Sequence, residues 1–145
     1  MDQAVFDLLH SVAAKSIISD QIIIFLASNL PYFLIFATLI FIFRQKPLKV
    51  KISAFFLIGF TALLSRGFLT EIINFFYNRS RPFEVLSLEP LIKGINGYSF
   101  PSGHAALLFA ISFAIFHLNR SWGIWFLFLS FVNGFMRIAV GVHWP

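Results

Sequence analysis

Residues 22–43 carry no charged side chain and consist almost entirely of Ile, Leu, Phe and Ala. At 1.5 Å per residue a helix over these positions reaches about 33 Å, enough to cross a hydrocarbon core of about 30 Å. Pro31 lies inside the stretch and predicts a kink, which a spanning helix tolerates. Residues 52–76 predict a second span. It opens with an uncharged run and then carries Arg66, Glu71 and Asn74, which are costly in lipid and should face protein or water. Residues 102–118 predict a short third span, and residues 122–142 a fourth, with Arg137 near its end. Residues 1–20 differ. Val5, Leu8, Leu9, Val12 and Ala13 recur at helical spacing among Asp2, Asp7, His10 and Lys15, the pattern of an amphipathic helix lying at the membrane interface. Residues 83–100 form the long polar connection, punctuated by Pro90, Gly94 and Gly97. The pattern predicts an all-α fold over residues 1–145. It is an integral membrane helical bundle of about four transmembrane helices plus an N-terminal interfacial amphipathic helix.

Composition agrees with that picture. Of 145 residues, 59% are hydrophobic and 12% charged, against about 45–50% and about 25% in a soluble domain. A disordered tail, a fibrous chain and a soluble globule are excluded. The absence of cysteine excludes disulfides and Cys-ligated zinc. The net charge of +5 reads as a membrane-orienting signal, not as a nucleic-acid footprint. Arg44, Lys46, Lys49 and Lys51 crowd the first connection without an acid, and Arg120 lies in the third. Both connections are therefore expected in the cytoplasm. The same topology brings Arg79, Arg81, Ser102, Gly103, His104, Arg137 and His143 to the opposite, outer face.

Three short segments carry candidate chemistry there. Arg79 and Arg81 precede Pro82; guanidinium suits phosphate oxygens, but arginines at a helix end also snorkel to lipid headgroups. Ser102 can cap the following helix, whose free N–H groups and dipole attract anions. Gly103 allows close approach of a ligand, and His104 is positioned as a proton donor. An ordinary Ser cap beside an interfacial His is the plainer reading. Arg137 and His143 stand six residues apart, about 120° around an ideal helix. Either Gly141 relaxes the helix or the two flank a ligand from different sides. Arg66 reads as a structural partner of Glu71 or of a bundle carbonyl before it reads as a substrate contact.

Together these segments resemble the three-part signature of the type 2 phosphatidic acid phosphatase family of membrane lipid phosphatases: Lys-x6-Arg-Pro, Pro-Ser-Gly-His, and Ser-Arg-x5-His-x3-Asp. Arg81-Pro82 matches the end of the first part, Pro101-Ser102-Gly103-His104 the whole second part, and Arg137 with His143 the third. The resemblance implies a partial form of that family's fold and a phosphohistidine mechanism. His143 would be the nucleophile and His104 the general acid, with Arg81, Arg137, Ser102, Gly103 and Asn74 on the phosphate. No metal or cofactor is implied.

Asn74 stands where the signature has Lys, and Met136 where it has Ser. The Asp would fall at position 147, past the last residue, so the C-terminal part, about two helices, is expected to be missing. Arg79 is a candidate substitute for the Lys charge, and Glu71 a candidate to orient His143. Within the family the chain is most similar to bacterial undecaprenyl-diphosphatases of the bacitracin-resistance type. That implies conversion of undecaprenyl diphosphate to undecaprenyl phosphate at the extracytoplasmic side of the bacterial cytoplasmic membrane. Hydrolysis of phosphatidylglycerophosphate or phosphatidic acid, and non-catalytic binding of lipid headgroups, stand as alternatives.

Overall fold

A computed structural model describes residues 2–13, 15–95 and 97–145, and all regular structure among them is helical. Helix α1 is Asp2–His10, α2 is Ile17–Ser28 and α3 is Leu30–Phe43. Helix α4 is Leu48–Ala62, continued through a π-helical segment, Leu63–Leu69, into α5, Thr70–Phe76. A single turn, α6, covers Pro82–Val85, before the hairpin of α7, Gly103–Leu118, and α8, Arg120–Ala139.

Among the described residues three continuous helical stretches are long and apolar enough to cross a membrane: Ile17–Phe43, Leu48–Phe76 and Arg120–Ala139. Helix α7 has 16 residues and reaches about 24 Å, in keeping with the short third span expected over residues 102–118. Its first turn lines a water-accessible cavity instead of lipid. Phenylalanines 33, 36, 55, 56 and 60 point outward, the arrangement that suits a surface solvated by acyl chains. Inside, Leu34, Phe41, Ile58, Leu108, Ile115 and Phe126 form the main core.

The first span starts at Ile17, earlier than expected, because Ser16 and Ser19 exchange side-chain and backbone hydrogen bonds as a capping box. The kink comes at Asn29, between α2 and α3. Pro31 has no N–H, so the Ala27 carbonyl one turn earlier loses its helical donor. Asn133 Nδ2 on α8 donates to that carbonyl at 3.1 Å and to Leu26 O at 2.7 Å.

The α7–α8 hairpin is the tightest joint. Asn119 caps α8 by accepting from Trp122 N–H at 3.1 Å. Ser112 and Ser130 are fully buried and bonded to one another at 2.9 Å, and small polar residues of this kind let spanning helices approach closely. Gly123 packs on the backbone of Phe116. Phe41 packs on Trp122, so the basic 44–51 connection and Arg120 share one end of the bundle. The long connection, α1 and the motif residues share the other.

The N-terminal segment departs from expectation. Helix α1 stops at His10 instead of continuing to residue 20, and it folds onto the bundle. Phe6 is fully buried and meets the Trp144 ring at 5.3 Å. His10, expected on a polar helix face, donates from Nδ1 to Ala139 O at 2.7 Å.

A Cβ at Gly123 would lie 2.1 Å from Phe116 Cα, whereas one at Gly59 meets nothing within 4 Å. Gly123→Val should therefore cost at least about 1–3 kcal/mol through overpacking. Thermal melts in detergent should show a lowered midpoint for it and none for Gly59→Ala.

Candidate active site

At the end of the bundle that holds α1 and the long connection lies a cavity of about 790 Å³, within the usual range of about 300–1,000 Å³ for ligand sites. Arg66, Asn74, Arg81, His104, Arg137 and His143 line it, together with Glu71 and Gly103. Arg66, Asn74 and Glu71 come from the second span, Arg81 from the following loop, His104 from the first turn of α7, and Arg137 and His143 from the end of α8 and beyond.

The last segment solves the problem of the 120° offset. Helix α8 ends at Ala139, not at 142, because Gly141 adopts φ +85°, a conformation glycine enters without steric cost. Val142 N–H returns to Arg137 O and Gly141 N–H to Ile138 O, the paired bonds of a Schellman ending. The reversed chain then carries His143 back until its Nε2 lies 3.1 Å from Arg137 Nη2.

Both ring nitrogens of His143 are engaged. Nδ1 lies 2.6 Å from Ser99 O. A carbonyl only accepts, so Nδ1 carries the hydrogen and Nε2 keeps its lone pair. That lone pair accepts from Arg137, a group that always donates. Ser99 O thus orients the imidazole, while Glu71, the candidate for that role, pairs with Arg66. Burial, then the neighbouring Arg137 charge, hold the His143 imidazole well below its ordinary pKa, at about 3; Ser99 opposes this, and Arg81 and His104 add to it. The ring is neutral at any physiological pH.

The guanidiniums are fixed by the backbone. Arg137 Nη1 donates to the Ala27 carbonyl freed by Pro31, at 3.4 Å, while its buried Nε has no partner. Arg81 donates from Nε to Gly97 O and from Nη1 to Val142 O, both at 2.8 Å, and Glu84 accepts from Arg81 N–H. Burial lowers the Arg81 pKa, with Glu84 opposing; the group nevertheless stays cationic.

Gly103 and His104, in the first turn of α7, line the same cavity, and the N–H groups of a helix's first turn have no partner within the helix. Ser102 does not cap the helix as expected. Its hydroxyl is buried without a partner, in an apolar groove that also reaches Arg137 and His143. Asn74 Oδ1 is likewise buried and unpartnered. A half-turn of that amide offers Nδ2 to an anion. No hydrogen bond engages the His104 ring among the described residues. No cluster of three or more His, Asp or Glu suited to a metal occurs among them either.

Two candidates have other work. Arg79 pairs with Asp2 at 2.7 Å and lies over the Trp144 ring at 5.2 Å, outside the cavity lining. It braces α1 against the His143 segment, which Trp144 further secures by donating to Ser80 O. Glu71 pairs with Arg66 at 3.5 Å. Ser99 and Asn133 were missed because one acts through its carbonyl and the other through a distant proline's vacated acceptor.

Comparison with known proteins agrees with this architecture. Residues 55–145 match the PAP2 superfamily, and the chain belongs to it. It is a lipid phosphatase, a hydrolase built as a membrane protein. Two relatives are each 27% identical. One is the "Bacitracin transport permease protein BcrC" of Bacillus licheniformis, matched over 97% of this chain and 68% of its own. The other is the "Undecaprenyl-diphosphatase BcrC" of Bacillus subtilis (strain 168), matched over 100% of this chain and 74% of its own. The crystal structure of Aquifex aeolicus LpxE superposes with a TM-score of 0.72 at 26% identity, covering 99% of this chain and 82% of that one.

A histidine that titrates near 6.5 when unfolded and near 3 when folded binds more protons in the unfolded state between those values. Its contribution to stability is therefore lost as pH falls through that window. Thermal melts between pH 7 and pH 4 should show the wild-type midpoint dropping relative to His143→Gln, which has no such proton to take up.

Proposed function

We propose that this protein hydrolyses a lipid diphosphate, undecaprenyl diphosphate above others, to the lipid monophosphate and inorganic phosphate, through a phosphohistidine on His143. The observation that carries the reading is the unprotonated Nε2 of a buried, neutral His143 facing the same cavity as His104, Arg81 and Arg137. The relative named as an undecaprenyl-diphosphatase supports the substrate. The chain would sit in the bacterial cytoplasmic membrane with the cavity facing outward; the basic connections at the opposite end of the bundle support that orientation.

The lipid tail stays among acyl chains while the headgroup enters the cavity. Arg137 turns its fork from His143 to the phosphate oxygens, which frees the Nε2 lone pair. Arg81 and the first N–H groups of α7 bind the remaining oxygens and stabilise the charge that develops in the transition state. Asn74 and the Ser102 hydroxyl, both unsatisfied without a ligand, add neutral donors.

Nε2 attacks the terminal phosphorus, and the bond from that phosphorus to the bridging oxygen breaks. The bridging oxygen leaves with the lipid-bound phosphate and takes a proton from His104, whose protonated form is favoured by the anion beside it. Water then attacks the phosphohistidine, His104 takes a proton from that water, and phosphate departs. The His143 Nδ1–H remains on Ser99 throughout and stabilises the cationic ring of the intermediate.

Phosphate release from undecaprenyl diphosphate should exceed release from phosphatidic acid or phosphatidylglycerophosphate under the same detergent conditions. Preference for either glycerolipid would contradict the substrate assignment. His104→Ala should lower the rate by about 10²–10⁴, the usual worth of a general acid. His143→Ala should abolish acid-labile phosphate trapped on protein, and trapping that survives would contradict the nucleophile. Fixed guanidiniums supply the charge, so excess EDTA should leave the rate unchanged; complete loss restored by added metal would contradict that.

A further inference from the structure

Arg66 belongs to none of the three motif segments, yet its guanidinium lies directly over Gly103, at the start of α7. A Cβ built on Gly103 would stand 2.5 Å from Arg66 Cζ and 2.6 Å from both Nε and Nη1. The local helix explains how the side chain gets there. Positions 66 and 74 are eight apart, which in a continuous α-helix leaves them about 80° out of line. The chain between them is π-helical as far as Leu69 and α-helical from Thr70, with Thr70 N–H and Thr70 Oγ1 both bonded to Ser65 O five residues back. Such a turn takes up an extra residue and is often found at functional sites. It aligns Arg66 with Glu71 and Asn74, and all three line the cavity. Ser65 Oγ also donates to Ala106 O at 2.9 Å, which holds the turn against α7.

Arg66 is also the least committed guanidinium in the cavity. Arg81 spends its donors on Gly97 and Val142, and Arg137 on Ala27 and His143. Among the described residues Arg66 pairs with Glu71 alone, at a long 3.5 Å, and its side chain is 48% exposed. Its position relative to the two histidines is informative. Arg66 lies over Gly103, the residue that precedes His104, while Arg137 is the guanidinium bonded to His143. In an in-line displacement the attacking nitrogen is on one side of phosphorus and the leaving oxygen on the other. With His104 as the group that meets the leaving oxygen, the contact with Gly103 sets Arg66 at that end of the path.

We propose that Arg66 binds the phosphate that remains on the lipid, forming with Glu71 and the π-helical turn a second subsite that selects diphosphates over monophosphates. The assignment rests on the phosphatase reading given above for the direction of attack. Arg137 and Arg81 neutralise the transferred phosphate, and Arg66 neutralises the departing one, which carries the charge released when the bridging bond breaks. Glu71 holds the fork in place when the site is empty and yields it to the stronger anion. A monophosphate substrate reaches Arg81 and Arg137 and leaves Arg66 unused.

The test is binding of inorganic pyrophosphate and inorganic phosphate to the intact detergent-solubilised protein by calorimetry, for wild type, Arg66→Gln and Arg66→Lys. Arg66→Gln should weaken pyrophosphate by about 10- to 100-fold, the worth of a charge-assisted contact. It should weaken phosphate by less than about fivefold, the reach of a screened neighbouring charge. Arg66→Lys should recover most of the pyrophosphate affinity. Equal weakening of both anions, no weakening of either, or a wild type without preference for pyrophosphate would overturn the proposal. Should Arg66→Gln not fold, the phosphate-to-pyrophosphate ratio of Arg66→Lys and of Glu71→Gln decides, since a subsite requires that ratio to move in at least one of them. Pyrophosphate selectivity that tracks Arg66 in a protein releasing no phosphate from any lipid would sink the catalytic reading and leave this one standing.

Discussion

His143 is held between an oxygen that can only accept and a guanidinium that can only donate. This pair of partners, Ser99 O at 2.6 Å and Arg137 Nη2 at 3.1 Å, decides the tautomer, the ring plane and the charge state at once. An imidazole buried among cations has nowhere to put a proton, so it stays neutral with its lone pair on Nε2. A freely rotating surface histidine would have none of these properties. The Ser99 carbonyl fixes the plane of the His143 ring and keeps the hydrogen on Nδ1.

The rest of the bundle is arranged to hold that pair. Pro31 frees the Ala27 carbonyl, and Asn133 and Arg137, one turn apart on α8, both reach it. A break in the first span thereby becomes the anchor for Arg137. The Schellman ending at Gly141 turns the chain back toward Arg137. Trp144, Arg79, Asp2 and Phe6 then fasten the turned segment to α1. The Ser112–Ser130 bond and the Gly123–Phe116 contact keep α7 and α8 in register, which fixes how far His104 lies from Arg137. Buried polar groups left without partners are costly. Of the four side chains with such an atom among the described residues, Asn74 and Arg137 line the cavity, Ser102 lines the adjoining apolar groove and Asn133 lies at the Ala27 carbonyl.

Much of this was readable in the residues. Apolar runs located the long helices, and charge placement grouped the motif segments at one end, because both signals are local and strong. Arg81, Gly103, His104, Arg137 and His143 announce themselves by type and spacing. What escaped was set by backbone geometry. An ideal-helix projection separates Arg137 from His143, and only the positive φ of Gly141 reunites them. The pairing of Arg66 with Glu71 is as the residues suggest, but their place on the cavity wall depends on a π-helical turn, which leaves no compositional mark. Ser99 acts through an atom every residue has, so its identity carries no signal. Residues 1–20 have the amphipathic spacing of one interfacial helix. Nothing in that spacing says that Phe6 and His10 prefer the end of α8 to a membrane surface, or that the helix ends at His10.

The central claim is that one phosphorus meets His143 on one side and His104 on the other, inside a ring of arginines. A structure determined with bound vanadate tests it most directly, since vanadate adopts the five-coordinate geometry of phosphoryl transfer. The account predicts vanadium bonded to His143 Nε2, with His104 within about 2.7–3.1 Å of the opposite apical oxygen. Arg81, Arg137 and the first N–H groups of α7 should hold the equatorial oxygens. Vanadate bound away from His143, or a His104 ring too distant to reach the apical oxygen, would contradict it.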